Sequence, residues 1–285
     1  MSAIFGRDRV TIMGVLNATP DSFSDGGRFV REREGGLDLA RAVDAAALLV
    51  DGGAHVLDVG GESTRPGAEP VPVALEIART ARLVEELAKR FDLPLSIDTR
   101  KAEVAEAALA SGARLVNDVS GLGFDPALAG VVARSGADLL LGHARGTPRT
   151  MQQAPHYDDT LREVGDELGA SVERALEAGV GRERLAVDPG IGFGKRLEDN
   201  LALLARAGEL RRRLDLPLVV GPSRKSFLGT LTGDPPDRRD GASHAACAVA
   251  VFAGADAVRV HDAAGASRAV AVALALRAAR GGPAS

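Results

Sequence analysis

The chain has 285 residues, 45% of them hydrophobic and 26% charged, with a formal net charge of −4. That length is enough to bury a sizeable core, and the slight acidity argues against nucleic acid or an anionic membrane surface as partner. No apolar run reaches the roughly 20 residues of a membrane-spanning helix, and a single cysteine, Cys247, cannot form an internal disulfide.

The opening "MSAIFGRDRVTIMGV" lacks the basic start and small-residue cleavage site of a secretory leader, so a cytoplasmic setting is expected. Short apolar runs then recur along the chain: 10–17 ("VTIMGVLN"), 55–60 ("HVLDVG"), 93–99 ("LPLSIDT") and 114–120 ("RLVNDVS"). Four more follow at 137–143 ("ADLLLGH"), 184–190 ("RLAVDPG"), 216–224 ("LPLVVGPSR") and 256–262 ("DAVRVHD"). Near-continuous apolar runs of this length suit strands covered on both faces, as in a parallel sheet. The stretches between them, such as "VALEIARTARLVEELAKR", repeat apolar residues at helical spacing. Several close on Gly-Ala before the next strand, at Gly53, Gly112, Gly136 and Gly254, where glycine can take the left-handed turn that ends a helix. Eight such units predict an α/β fold, a (β/α)8 TIM barrel forming a single domain over 1–285 with its core at about 10–280. A doubly wound open sheet is the alternative, but no Gly-x-Gly-x-x-Gly turn opens the chain.

In such barrels the active site lies at the C-terminal ends of the strands. The polar residues there are Asn17, Asp58, Asp98, Asn117-Asp118, His143, Asp188, the "SRKS" segment, Arg259 and His261. One aspartate at a strand end is as readily a helix cap as a catalytic group. Capping does not explain matched polar groups on seven strands. Lysine occurs only at 89, 101, 195 and 225, and asparagine only at 17, 117 and 200, so Asn17, Asn117 and Lys225 at strand ends carry extra weight. His55, His156 and His244 read as structural or loop residues, and Cys247 as packed helix. "VDPGIGFGK" (187–195) has the look of a phosphate loop, yet Gly190 and Gly194 are one residue too close for a Walker pattern and Lys195 precedes arginine. Its glycines are expected to turn the backbone sharply away from Asp188, leaving the aspartate as the functional end.

Taken together, "NATPDSFSDGG", "ESTRPG", "SIDTRKAEVAEAALASGARLVNDVSG", "DPGIGFGK", "GPSRKSFLG" and "RVHD" closely resemble dihydropteroate synthase of the folate pathway, over about residues 10–262. The resemblance implies a TIM barrel paired as a homodimer. It also implies Mg2+, and joining of dihydropterin diphosphate to p-aminobenzoate. On the same basis Asp188, Asn117, Asp98 and Lys225 would hold the pterin, and Arg259, His261 and Asn17 the diphosphate, with Asn17 beside the metal. Asp25 and Arg65 would pair across closing loops, and Phe23, Thr64, Pro66 and Ser226 would meet the aminobenzoate. Two departures from the family pattern, Gly142 and Ala144, are expected to shrink the pocket wall. The rivals are a methyltetrahydrofolate methyltransferase-like pterin barrel, which should lack the "NATPDSFSDGG" loop, and a non-catalytic paralogue, which should lose Asn17, Asp25, Arg65 or the Arg259/His261 pair.

Overall fold

The computed structural model describes residues 4–5, 9–18, 37–63, 68–147 and 150–280. Eight parallel strands follow one another around a barrel. They are β1 (Thr11–Asn17), β2 (Val56–Gly60), β3 (Leu95–Asp98), β4 (Leu115–Asp118), β5 (Asp138–Gly142), β6 (Leu185–Asp188), β7 (Val219–Val220) and β8 (Ala257–Val260). The ladder runs β6-β5-β4-β3-β2-β1-β8-β7, and a Val187–Leu218 bridge joins β6 to β7 and closes the ring. All eight predicted strands are present. The seventh is much shorter than expected, because Pro217 and Pro222 flank it and neither has an N–H to give to a ladder.

Helices cover the outside: α1 (Leu39–Asp51), α2 (Val73–Arg90), α3 (Ala102–Ala110), α4 (Leu128–Ser135) and α5 (Thr160–Glu177). The second half contributes α6 (Leu197–Ala205), α7 (Ala207–Leu214), α8 (Ser226–Thr232), α9 (Asp240–Ala253) and α10 (Ala263–Arg280). The four predicted glycine stops have the required backbone, with φ of 94°, 114°, 70° and 119° at Gly53, Gly112, Gly136 and Gly254. Each is followed by a buried alanine that carries the chain back toward the sheet. No helix among the described residues is long and apolar enough to cross a membrane.

Residues opposite one another in parallel strands face the same way, so the register sorts the barrel into layers. Met13, Val56, Leu115, Leu140, Ala186, Val219 and Ala257 form an apolar interior layer, plugged by Ile4 and Phe5. Above it the inward positions turn polar. The bottom of the barrel is therefore core, and the top holds the chemistry.

Candidate active site

At the rim, Asn17, Gly60, Asp98 and Asn117 lie side by side in register, and Gly142 is level with Asp188. Asn117, Asp188, Lys225 and Arg259 line a pocket there, together with His143, Phe193 and the backbone of Gly190 and Gly221. Asn17 and Asp98 flank Gly60 just beside it: a Cβ on Gly60 would lie 3.7 Å from Asn17 Oδ1 and 3.6 Å from Asp98 Cβ.

Arg259 stands on β8 and faces inward. Its Nε donates to Asp58 Oδ2 at 2.6 Å and its Nη2 to Asp98 Oδ2 at 2.6 Å. The amide of Asn117 donates to the same Asp58 oxygen at 3.0 Å, which orients the Asn117 side chain. One cation thus serves two enclosed carboxylates. Burial pushes the Asp98 carboxyl up to about 7, against the pull of Arg259 and with the negative charge of Asp58 adding to it. Against the cost of its own burial, Asp58 and Asp98 hold the Arg259 guanidinium above its ordinary value. Asp58 was visible in the sequence only as the acid of strand two. Its place two residues below Gly60, on the inward face, was the signal that it belongs to the site.

The stretch 187–195 is built on close backbone approach. Gly190, Gly192 and Gly194 all have positive φ (65°, 83° and 63°). A Cβ at Gly190 would sit 1.8 Å from the His143 carbonyl oxygen, and one at Gly194 2.4 Å from that of Arg145, so no other residue fits either place. As expected from the sequence, the chain turns away from Asp188, whose Oδ1 accepts the Gly190 N–H at 2.7 Å. Enclosure by protein pushes the Asp188 carboxyl upward, opposed by that N–H and by the charges of Lys225 and Arg259. Its Oδ2 lies next to Gly221, 3.7 Å from where a Cβ there would be. Across the pocket the Lys225 ammonium sits 3.7 Å from the centre of the Phe193 ring, a cation–π contact. Phe193 was not singled out from the sequence, although it lies within the motif.

His143 lies one residue beyond the end of β5, not in the strand as expected, and its ring is tied into the wall. Nε2 meets Glu167 Oε2 at 2.9 Å and Nδ1 meets Lys195 Nζ at 2.8 Å. Burial brings the imidazole down to about 4, with the positive charge of Lys195 adding to the effect. His261 lies one residue beyond the end of β8, so it does not share a strand with Arg259 as expected. The ladder ends at Val260, and Ser223 Oγ takes both the His261 backbone N–H (3.2 Å) and a bond with Nδ1 (2.9 Å). Ser226 is exposed and opens α8. Phe23, Asp25, Thr64, Arg65 and Pro66 lie outside the described residues. Among the described residues nearby, Glu62 Oε2 accepts Val71 N–H and Lys101 Nζ, each at 2.7 Å, and Lys101 also bonds the Val71 carbonyl at 2.6 Å.

Gly142 sits where the backbone leaves no room for a side chain. A Cβ there would lie 2.6 Å from Val119 Cα and 2.9 Å from its carbonyl oxygen. The backbone after β4 occupies the space, and Val119 itself lines the pocket.

With this geometry in hand, the likeness to known proteins becomes specific. Residues 13–261 match the family described as pterin binding enzyme. A dihydropteroate synthase of Synechocystis sp. is 47% identical over 255 residues, covering 89% of this chain and 86% of the relative. Among solved structures, a Yersinia pestis dihydropteroate synthase in complex with a sulfonamide drug superposes with a TM-score of 0.87 at 41% identity, covering 95% of each chain. One from Xanthomonas albilineans with 4-aminobenzoic acid gives 0.86 at 42% identity, covering 95% of this chain and 94% of that one.

Proposed function

The chain belongs to the pterin-binding enzyme family, among its dihydropteroate synthases, and on that premise we propose how its residues divide the work. The reaction joins a dihydropterin methyl diphosphate to p-aminobenzoate. The methylene–oxygen bond breaks with its electron pair leaving on diphosphate, a methylene–nitrogen bond forms, and the aniline nitrogen gives up a proton. The observation that carries the assignment is the rim itself, where Asn117, Asp188 and Lys225 converge on a pocket walled by glycine backbone.

A pterin edge offers a ring N–H beside an exocyclic amine. Asp188 is the acceptor for that pair, by charge-assisted bonds that are the stronger kind. Asn117, oriented by Asp58, and Asp98 take the remaining ring nitrogens, and Lys225 donates to the carbonyl side. Arg259 and His261 face the departing diphosphate with Asn17, and Ser226 meets the aminobenzoate with Thr64, Phe23 and Pro66. Asp25 and Arg65 complete the reading as a pair above the site. Arg259 reaches the substrate while still neutralising Asp58 and Asp98, so its positive charge is held in place before the leaving group develops negative charge. Such preorganised charge is the main source of rate enhancement in a reaction without a protein nucleophile.

Asn17 suits Mg2+ in one specific way. Among the described residues no cluster of three His, Cys, Asp or Glu could cage a metal, and Mg2+ characteristically keeps water and substrate phosphate oxygens, taking few protein ligands. The amide oxygen of Asn17 would be its protein contact, and the ion would neutralise charge on the diphosphate.

The direct test is pyrophosphate release from the pterin diphosphate with Mg2+, with and without p-aminobenzoate, alongside detection of dihydropteroate. Release coupled to product is expected. Pterin binding without product would move the chain to the non-catalytic reading.

The reading also includes a homodimer. Val272 and Leu276 point outward from α10, Val249 from α9 and Leu48 from α1, all exposed, and α10 packs against both α1 and α9. Large exposed apolar side chains on helices that pack side by side favour an interface. The Val272→Glu/Leu276→Glu double variant is expected to run as a monomer in light scattering at concentrations where the parent is a dimer; a parent that is already monomeric would refute the pairing. The lone cysteine is buried, its thiol pushed up to about 12 by burial, and with it the cytoplasmic setting expected from the sequence belongs to this reading.

A further inference from the structure

Lys195 has no part in the chemistry above, yet it is buried directly behind the pocket wall. Its ammonium meets three acceptors: His143 Nδ1 at 2.8 Å, the Phe193 carbonyl at 3.1 Å and the His143 carbonyl at 3.4 Å. Glu167, held down to about 2 by the bond from His143 and then by Arg145, only accepts. His143 Nε2 must therefore carry the imidazole proton, which leaves Nδ1 as a lone pair for Lys195. Burial brings the Lys195 amine down to about 7, opposed by the charges of Asp188 and Glu167, and in its protonated form three donors find three acceptors.

The loop explains why such a group is needed. Gly190 and Gly194 press backbone against the backbone of residues 143–145, and between them Gly192 is held from outside the loop, its N–H by Asn200 Oδ1 at 2.6 Å and its carbonyl by Gln152 Nε2 at 2.9 Å. Tyr157 secures the far end through its hydroxyl, which donates to the Gly194 carbonyl at 3.0 Å. Between these points Phe193 lines the pocket; its N–H donates to the Gly190 carbonyl at 3.0 Å within the loop itself, and its carbonyl accepts from Lys195, the one side chain among the described residues that bonds the Phe193 backbone. The Lys225 side chain runs past Gly192, where a Cβ would crowd its Cδ at 3.2 Å, and ends over the Phe193 ring.

We propose that Lys195 is a positioning residue for the pterin site: bonded to the Phe193 and His143 carbonyls and to the His143 ring, it fixes Phe193 and so the line along which Lys225 meets the pterin. This rests on the synthase reading for the identity of the ligand. Lys195 touches no substrate; its effect passes through Phe193.

A double-mutant cycle tests that route, because residues acting through one another depart from additivity. Affinity for 6-hydroxymethylpterin, which has no diphosphate to lose, is measured by calorimetry for the parent, Lys195→Met, Phe193→Ala and the double variant, with thermal unfolding alongside. Lys195→Met is expected to weaken binding about tenfold in the parent and less than about threefold in the Phe193→Ala background. In turnover the loss should fall on KM for the pterin diphosphate, not on kcat. Equal losses in both backgrounds, or a folded Lys195→Met variant with parental affinity, would overturn the proposal. If Lys195→Met does not fold, the cycle is run with Lys195→Gln, which keeps amide donors for the carbonyls, and the same outcomes decide. A parent chain that binds pterin but makes no dihydropteroate would sink the synthase reading and leave this cycle standing, since it reads binding alone.

Discussion

Asp188→Asn should lose pterin affinity by about ten- to a hundredfold and yet melt no lower than the parent. The two effects have separate causes. Deleting a charged acceptor costs about 1.5–3 kcal/mol of binding, with each 1.4 kcal/mol a factor of ten. Asparagine does more than delete, because an amide can still accept the Gly190 N–H with its oxygen but then presents an NH2 toward the pterin's own donors. Asp188→Ala should therefore bind pterin at least as well as Asp188→Asn. Stability moves the other way. In the free protein enclosure disfavours the Asp188 charge, and it outweighs the Gly190 N–H and the charges of Lys225, Arg259 and Lys195. A carboxyl whose folded pKa is raised contributes stability at low pH and loses it as pH rises through the folded value. Removing the charge removes that loss, so the advantage of the variant should be smaller at pH 4, near the ordinary carboxyl value of 3.8, than at pH 8. Calorimetry with 6-hydroxymethylpterin and melting curves at the two pH values check both halves. Unchanged affinity would remove Asp188 from the pterin site.

Much of the architecture could be read before any coordinates because its causes are local. Strands covered on both faces must be apolar throughout, and a helix that stops hard before a strand asks for a left-handed residue; Gly53, Gly112, Gly136 and Gly254 meet that demand one at a time. The rim aspartates and asparagines were legible for the same reason, as polar groups at the ends of apolar runs. What could not be read depends on approach in space. Arg259 meets Asp58 and Asp98 across separations of 201 and 161 residues, and no spacing rule reports such a contact. Lys195 looked like part of a failed phosphate loop because its partner His143 lies 52 residues away. Gly142 looked like a missing side chain, whereas the Val119 backbone left no space for one. In each case the residue type was plain and the neighbour was not.

Arg259→Met should be the most damaging single change in the barrel, lowering stability by about 3–5 kcal/mol, the usual cost of stranding buried partners by removing one charge. The parent already holds the Asp98 carboxyl at about 7 with Arg259 pulling it down, so without that cation the value must climb further. Asp98 is then raised well above its ordinary 3.8, and its contribution to stability is fully present below that ordinary value and lost as pH rises through the folded one. The deficit of the variant should therefore be smallest near pH 5 and widest near pH 8, which urea unfolding at the two pH values would measure. Arg259→Lys should recover only part of the loss. A guanidinium presents separate N–H groups to Asp58 Oδ2 and Asp98 Oδ2, while an ammonium on a shorter reach is a point charge that serves one carboxylate well. Asp98→Asn added to Arg259→Met should restore stability by removing one of the two stranded charges, but it should not restore catalysis, since the diphosphate would still depart without its preorganised cation. A deficit that stays constant across pH, or a double variant no more stable than Arg259→Met alone, would mean that the two carboxylates do not depend on Arg259 and that its place at the rim serves the substrate alone.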